Sequence, residues 1–183
     1  NYHVVEGKKY VYIEKFQDSL QSYVAEVIDY DKRLDIAVLR VTDPQFKALK
    51  TIPFSFADGE TMIGQKVFTL GYPKKEIVYS EGPISSLTGF RSDTIALQLS
   101  LPVNPGNSGA PVFSENGELI GVITGKNTQT DGEAYSVKAE HILNFLNESD
   151  KFEFKPLRRS VLRGKKITDQ VKTLDQFIFV VKA

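Results

Sequence analysis

The stretch Asn104–Phe113, NPGNSGAPVF, sets Ser108 between two glycines in a loop that runs straight into apolar, strand-forming residues. Glycine loses more backbone freedom on folding than other residues, so it recurs where the chain needs a positive φ or a close main-chain approach. Asn, Pro, Gly and Ser are also ordinary turn residues, and a plain turn between strands is one reading. The other is that the N–H groups of this loop are aimed at something. The rest of the chain separates the two.

Composition narrows the field. The chain has 183 residues, enough for one domain or two small lobes. Apolar residues make up 41% and charged residues 25%, the balance of a globular protein. Twenty-three Lys and Arg against 23 Asp and Glu leave no global argument for a nucleic-acid partner. Without cysteine, disulfides, thiol catalysis and cysteine-ligated zinc are excluded, and two histidines, His3 and His141, are too few for a multi-histidine metal site. No metal and no cofactor is expected. The apolar run FIFVV at Phe177–Val181 falls far short of the ~18 residues that span a bilayer, so no membrane insertion is expected. No signal-peptide pattern opens the chain, which reads as if it starts in mid-domain.

Short β-type runs dominate: YVYI (10–13), YVAEVI (23–28), IAVLRV (36–41), KVFTLGYP (66–73), IALQLSL (95–101), LIGVITG (119–125) and AYSV (134–137). They are rich in Val, Ile, Tyr, Phe and Thr, several alternate apolar with polar, and turn residues separate them, as in a sandwich or barrel. KAEHILNFLNES (138–149) predicts a helix with Ile142, Phe145 and Leu146 on one stripe, beside which His141 reads as a rim residue. After Asp150 the character changes. Residues 151–166 carry seven basic residues against one acidic, read as a solvated basic tail rather than a phosphate site. Ile167, Val171 and Leu174 then make a short helical stripe before FIFVV. These last 33 residues fall short of the ~50 of a small domain and are read as an appendage packed on the main body.

Three motif matches fail on chemistry. GVITGK (121–126) has one residue too few between its glycines for a phosphate loop, and Asn127 stands where Ser or Thr should bind magnesium. DYDKRLD (29–35) puts Lys32 and Arg33 where a calcium loop needs oxygen ligands. The sequon at Asn147 has meaning only in a secreted eukaryotic protein.

What remains is His3 in NYHVV, Asp35 in LDIAVLRV and Ser108 in PGNSGAP. A serine hydroxyl is a poor nucleophile unless a base removes its proton. A neutral imidazole is that base near pH 7, and a buried carboxylate fixes its tautomer. The tetrahedral intermediate also needs N–H donors aimed at its oxyanion, which Gly106 and Ser108 would supply. On this reading the glycines make a hole.

The order His, Asp, Ser, with NYHVV, DIAVLRV, NPGNSGAPVF and GELIGVITG, resembles the trypsin-like serine proteases, and among them the HtrA/Deg branch of bacterial proteases. FADGETMIGQKVFTLGYP and SEGPISS strengthen that resemblance, which covers Asn1 to about Leu146. It implies an all-β fold of two antiparallel six-stranded barrels with a C-terminal helix. With two residues before His3, the first barrel would lack its opening strands and present open edges. Residues 1–150 would form the protease domain, with barrels dividing at roughly 58–90, and 151–183 the appendage.

By the same resemblance His3 is the general base, Asp35 its orienting acid and Ser108 the nucleophile. Gly106, Asn107 and Ser108 form the oxyanion hole. Pro102, Val103, Asn104, Val122, Ile123, Thr124 and Gly125 line the primary pocket, without an acid at its base. Small or medium aliphatic residues are therefore expected before the scissile bond. Asn107 stands where digestive relatives carry an aspartate, so activation by loop ordering rather than zymogen cleavage is implied. The expected partners are polypeptide substrates, and the branch favours a bacterial periplasm over the cytoplasm. No PDZ or trimer-forming segment is read here. A non-catalytic peptide-binding or chaperone-like module, and a structural domain in which PGNSGAP is only a turn, stand as alternatives.

Overall fold

The structure is a computed structural model that describes residues 1–15, 21–49, 51–124 and 133–183. Eleven strands and three α-helices are assigned among them. The helix α1 (Tyr2–Val5) precedes β1 (Tyr10–Glu14), β2 (Ser22–Asp31) and β3 (Ile36–Val41). Then come β4 (Ser55–Phe56), β5 (Lys66–Gly71), β6 (Val78–Ser86), β7 (Ala96–Leu99), β8 (Pro111–Ser114), β9 (Glu118–Thr124) and β10 (Ala134–Lys138). The chain ends with α2 (Ala139–Glu148), α3 (Ile167–Leu174) and β11 (Val180–Lys182).

Six strands close a barrel in the order β5-β6-β7-β10-β9-β8, every neighbour antiparallel, with β8 returning to β5. Closure removes the exposed edges that would otherwise invite pairing with other chains. Val67, Ile84, Leu97, Leu99, Val112 and Ile120 fill the interior. Where β6 crosses the chain after β7, a side chain has no room: a Cβ at Gly82 would stand 1.9 Å from the Ser100 carbonyl oxygen.

The run KVFTLG breaks the alternation expected of a half-exposed strand, being buried from Val67 to Gly71. Val67 points into the barrel, while Phe68 and Leu70 point outward, where Phe113, Leu119, Leu162 and Leu174 cover them. A strand buried on both faces reads as continuously apolar. Leu162 and Leu174, from residues 151–183, supply the outer part of this cover. In the basic run the cations are exposed, but Ser160 and Leu162 are buried, with Ser160 Oγ donating to the Pro53 carbonyl and Arg163 paired to Glu118 at 2.6 Å. The run is therefore anchored by buried neutral residues and by ion pairs such as Arg163–Glu118, with its cations at the surface. In α3, Gln170 is fully buried and donates to the carbonyls of Glu115 and Lys165.

The other lobe is a four-stranded antiparallel sheet, β11-β1-β2-β3, packed on Val5, Val11, Ile13 and Ala25. Among the described residues this sheet does not close and keeps edges at β11 and β3, while the edge of β1 is covered. The last strand, β11, pairs there in the register Tyr12↔Lys182, Ile13↔Val181 and Glu14↔Val180. Lys182 and Glu14 form an ion pair on it. Apolar packing joins the lobes on two sides. On one side Leu34 and Ile36 pack with Val137 of β10 and Ile142 of α2. On the other the tail alternates: Ile178 joins the barrel's outer cluster, Phe179 and Val181 the sheet's cluster. The described residues thus form one closed six-stranded barrel beside a four-stranded half-barrel sheet.

If the tail and barrel fold as one unit, Leu174→Ala lowers stability by about 2–5 kcal/mol, the cost of emptying a buried leucine site. A urea titration should show one transition moved to lower denaturant. A separate early transition, with the main midpoint unmoved, would show that the appendage melts independently.

Candidate active site

The turn between β2 and β3 positions the first group. Asp31 Oδ1 accepts the N–H groups of Arg33 (2.7 Å) and Leu34 (2.9 Å), an Asx-type turn that brings the chain around. The turn ends at Asp35 with φ 57°, a region aspartate visits more readily than branched residues. Leu34, buried against Ile142, locks it in place.

Asp35 is 2% exposed, and a carboxylate so buried requires donors. It has them. Oδ1 accepts the His3 backbone N–H at 2.9 Å, and Oδ2 lies 2.8 Å from His3 Nδ1. The Asp35 carbonyl accepts Tyr2 N–H at 3.0 Å and Asn1 Nδ2 at 2.9 Å. The one-turn helix carrying His3 is thus tied to Asp35 at four points. With Nδ1 donating to the carboxylate, Nε2 carries the free lone pair of a neutral imidazole. That nitrogen is the one able to take a proton.

The glycine loop positions the second group. Asn107 N–H donates to the Asn104 carbonyl (3.0 Å), and Ala110 N–H to the Asn107 carbonyl (2.9 Å). The loop is pinned to β9 by Gly109 N–H to the Ile123 carbonyl (2.9 Å) and Ile123 N–H to the Ala110 carbonyl (2.8 Å). Gly106 has φ 100° and sits so tightly that a Cβ there would lie 3.0 Å from Pro73 Cα. Among the described residues, the amides of Gly106 and Ser108 donate to no protein group. His3, Gly106 and Ser108 line one cavity of about 470 Å³.

The remaining positions read from the sequence divide. The Asn107 side chain is buried against Gly71 rather than facing the cavity. Ile123 points into the barrel, and both its backbone groups hold the loop. Val103 packs on the barrel core, Pro102 and Asn104 are exposed, and Val122 is half-buried. Thr124 does something its pocket-lining assignment omits: its hydroxyl reaches Asp35 Oδ2 at 3.5 Å, from the opposite lobe. Gly125 lies outside the described residues. No group of three or more His, Cys, Asp or Glu among the described residues could hold a metal.

Two further features escaped sequence reading. Tyr72, whose carbonyl abuts Gly106, donates its hydroxyl to Asp175 at 2.8 Å. Burial, then the bond to Asp175, pushes its phenol pKa up. The tail residues Ile178–Val181 line the same cavity as Ser108. FIFVV was readable as a strand, but no local signal names the edge it joins.

Comparison with known proteins shows the family. A family model described as "Trypsin-like peptidase domain" matches residues 1–122. Protease Do-like 1, chloroplastic, of Arabidopsis thaliana is 34% identical over 133 residues, covering 68% of this chain and 29% of its own length. A probable periplasmic serine endoprotease DegP-like of Marinomonas sp. is 28% identical over 137 residues, covering 72% of this chain and 28% of its own. The chain therefore spans less than a third of either relative. The Rv3671c protease of M. tuberculosis H37Rv, in its inactive form, superposes with a TM-score of 0.63 at 26% identity, covering 80% of this chain and 75% of that one.

The geometry of the glycine loop makes a stability prediction. Gly106→Ala forces a side chain into a left-handed backbone against Pro73 and should cost about 1–3 kcal/mol, read as a lower urea midpoint. An unchanged midpoint would mean that the loop does not hold the positive φ seen here.

Proposed function

The chain belongs to the trypsin-like peptidase family, in its HtrA/Do-like branch, and from that premise we propose that it is a serine endopeptidase acting on extended protein segments. Ser108 Oγ attacks the substrate carbonyl carbon while His3 Nε2 takes the hydroxyl proton. Asp35 holds the ring and stabilises the imidazolium. The amides of Gly106 and Ser108 receive the oxyanion, in a loop whose shape Asn107 supports. Collapse of the intermediate breaks the C–N bond, and His3 returns its proton to the departing amine. Water then attacks the acyl-enzyme by the same route and releases Ser108.

One observation carries this reading: the two-point hold of Asp35 on His3, at 2.9 and 2.8 Å, with His3 lining the same cavity as Gly106 and Ser108. An unfolded or extended substrate would lie along the cleft as an added strand. Specificity is inferred from the residue types at the positions that the family likeness assigns to the primary pocket. Pro102, Val103, Asn104, Val122, Ile123 and Thr124 include no acid, so Arg or Lys before the scissile bond would be desolvated without a counter-charge. Small and medium aliphatic residues such as Val, Ala and Ile fit. Relatives such as the periplasmic DegP-like protein favour a bacterial envelope location.

Diisopropyl fluorophosphate should label the chain at Ser108. Ser108→Ala abolishes labelling, and His3→Ala slows it by roughly 10³-fold or more, the scale of losing a triad member. Peptide binding without labelling would instead favour a non-catalytic module. In a peptide library, cleavage should fall mainly after Val, Ala and Ile; cleavage mainly after Arg or Lys would contradict the pocket assignment.

A further inference from the structure

The end of β5 runs against the glycine loop, and the roles above give it no task. A Cβ at Gly71 would stand 3.1 Å from Asn107 Oδ1 and 3.2 Å from Ala110 Cβ. One at Gly106 would stand 3.0 Å from Pro73 Cα and 3.6 Å from the Tyr72 carbonyl oxygen. At Gly106 main chain therefore meets main chain, so a displacement of Tyr72 or Pro73 passes directly into the loop. The side-chain oxygen of Asn107 does not tether the loop, since Oδ1 is buried without a donor.

Residues 72 and 73 lie past the reach of the sheet. The β5–β8 ladder ends at Thr69 opposite Val112, and the β5–β6 ladder at Gly71 opposite Val78. Beyond them, the Tyr72 hydroxyl donates to Asp175 Oδ1 at 2.8 Å, a bond strengthened by the acceptor's charge. Burial, then Asp175, raises the phenol pKa and keeps it a donor. Asp175 is itself firmly seated. Leu174 before it is 1% exposed, Ile178 after it packs in the same cluster with Phe68 and Leu70, and its own N–H donates to the carbonyls of Val171 and Thr173. Tyr72 lines the cavity of His3, Gly106 and Ser108, but its hydroxyl is engaged with the C-terminal segment.

We propose that Tyr72 is a positioning residue for the oxyanion loop: anchored by Asp175, it fixes the Tyr72–Pro73 backbone against which Gly106 is set. The proposal rests on the serine-endopeptidase reading above. An oxyanion is stabilised only by amides held within ~2.7–3.1 Å of the developing charge, so a loop on a loose backing would bind substrate but lose turnover. The C-terminal segment thereby acts on the chemistry through one hydrogen bond.

Hydrolysis of the p-nitrophenyl ester of N-acetylvaline by the whole chain tests this. Tyr72→Phe should lower kcat roughly tenfold with KM within about twofold, a smaller loss than the ~10²–10³ of removing an oxyanion donor outright. The aldehyde N-acetylvalinal, which Ser108 Oγ converts to a hemiacetal with its oxygen in the oxyanion position, should bind about tenfold more weakly. N-acetylvalinamide, which forms no such adduct, should bind unchanged. Asp175→Ala should reproduce both losses, Asp175→Asn, which keeps an acceptor, should recover most of them, and Tyr72→Phe with Asp175→Ala should be no worse than either alone. If Tyr72→Phe does not fold by circular dichroism, the comparison of Asp175→Ala with Asp175→Asn decides. A lowered urea midpoint with kcat and the aldehyde-to-amide affinity ratio unchanged would reduce the bond to a structural one and overturn the proposal alone. No ester hydrolysis by the unaltered chain, or hydrolysis that Ser108→Ala leaves intact, would sink the serine-endopeptidase reading and this proposal with it.

Discussion

A carboxylate taken out of water is the constraint around which this molecule is arranged. Asp35 is almost wholly buried, and a buried charge survives only with donors gathered about it. They come from separate places: the backbone and ring of His3, and the hydroxyl of Thr124 across the lobe boundary. The same residue's carbonyl binds Asn1 and Tyr2, so one position orders the short helix on which the imidazole sits. The positive φ of Asp35 is a local strain that the packing of Leu34 and Ile36 against α2 offsets.

The second organising feature is the tail's double engagement. A segment that follows the closed barrel first covers the barrel's outer face with Leu162 and Leu174, then crosses to become a strand of the opposite sheet. Alternation along Ile178, Phe179, Val180 and Val181 is what permits this, since successive side chains of an extended segment point to opposite sides. Two lobes that must present a base and a nucleophile to one another are thus fastened on one side by α2 and on the other by β11. Through Tyr72 and Asp175 the same tail also touches the residues against which Gly106 packs.

Much of this was open to reading beforehand, and for an identifiable reason. Strands such as Ile36–Val41 and Ala134–Lys138 announce themselves through β-branched residues and bounding turns, and α2 through a stripe at helical spacing, because both signals are carried by near neighbours. The glycine loop spoke through residues with special backbone freedom. Where the local pattern was silent, a distant contact decided. Val67–Gly71 lost its alternation because the appendage covers its outer face. The bond from Thr124 to Asp35 was not legible because the two lie 89 positions apart.

From the residues alone came the residue types able to do acyl chemistry, the order in which they occur, and the all-β character that carries them. Tertiary structure alone decided that β11 seals the edge of β1, that Thr124 faces Asp35, and that Tyr72 reaches Asp175. A strand's pattern states which face is apolar but not which free edge it will meet, since every edge offers the same N–H and C=O groups. That choice is made only when whole surfaces pack together.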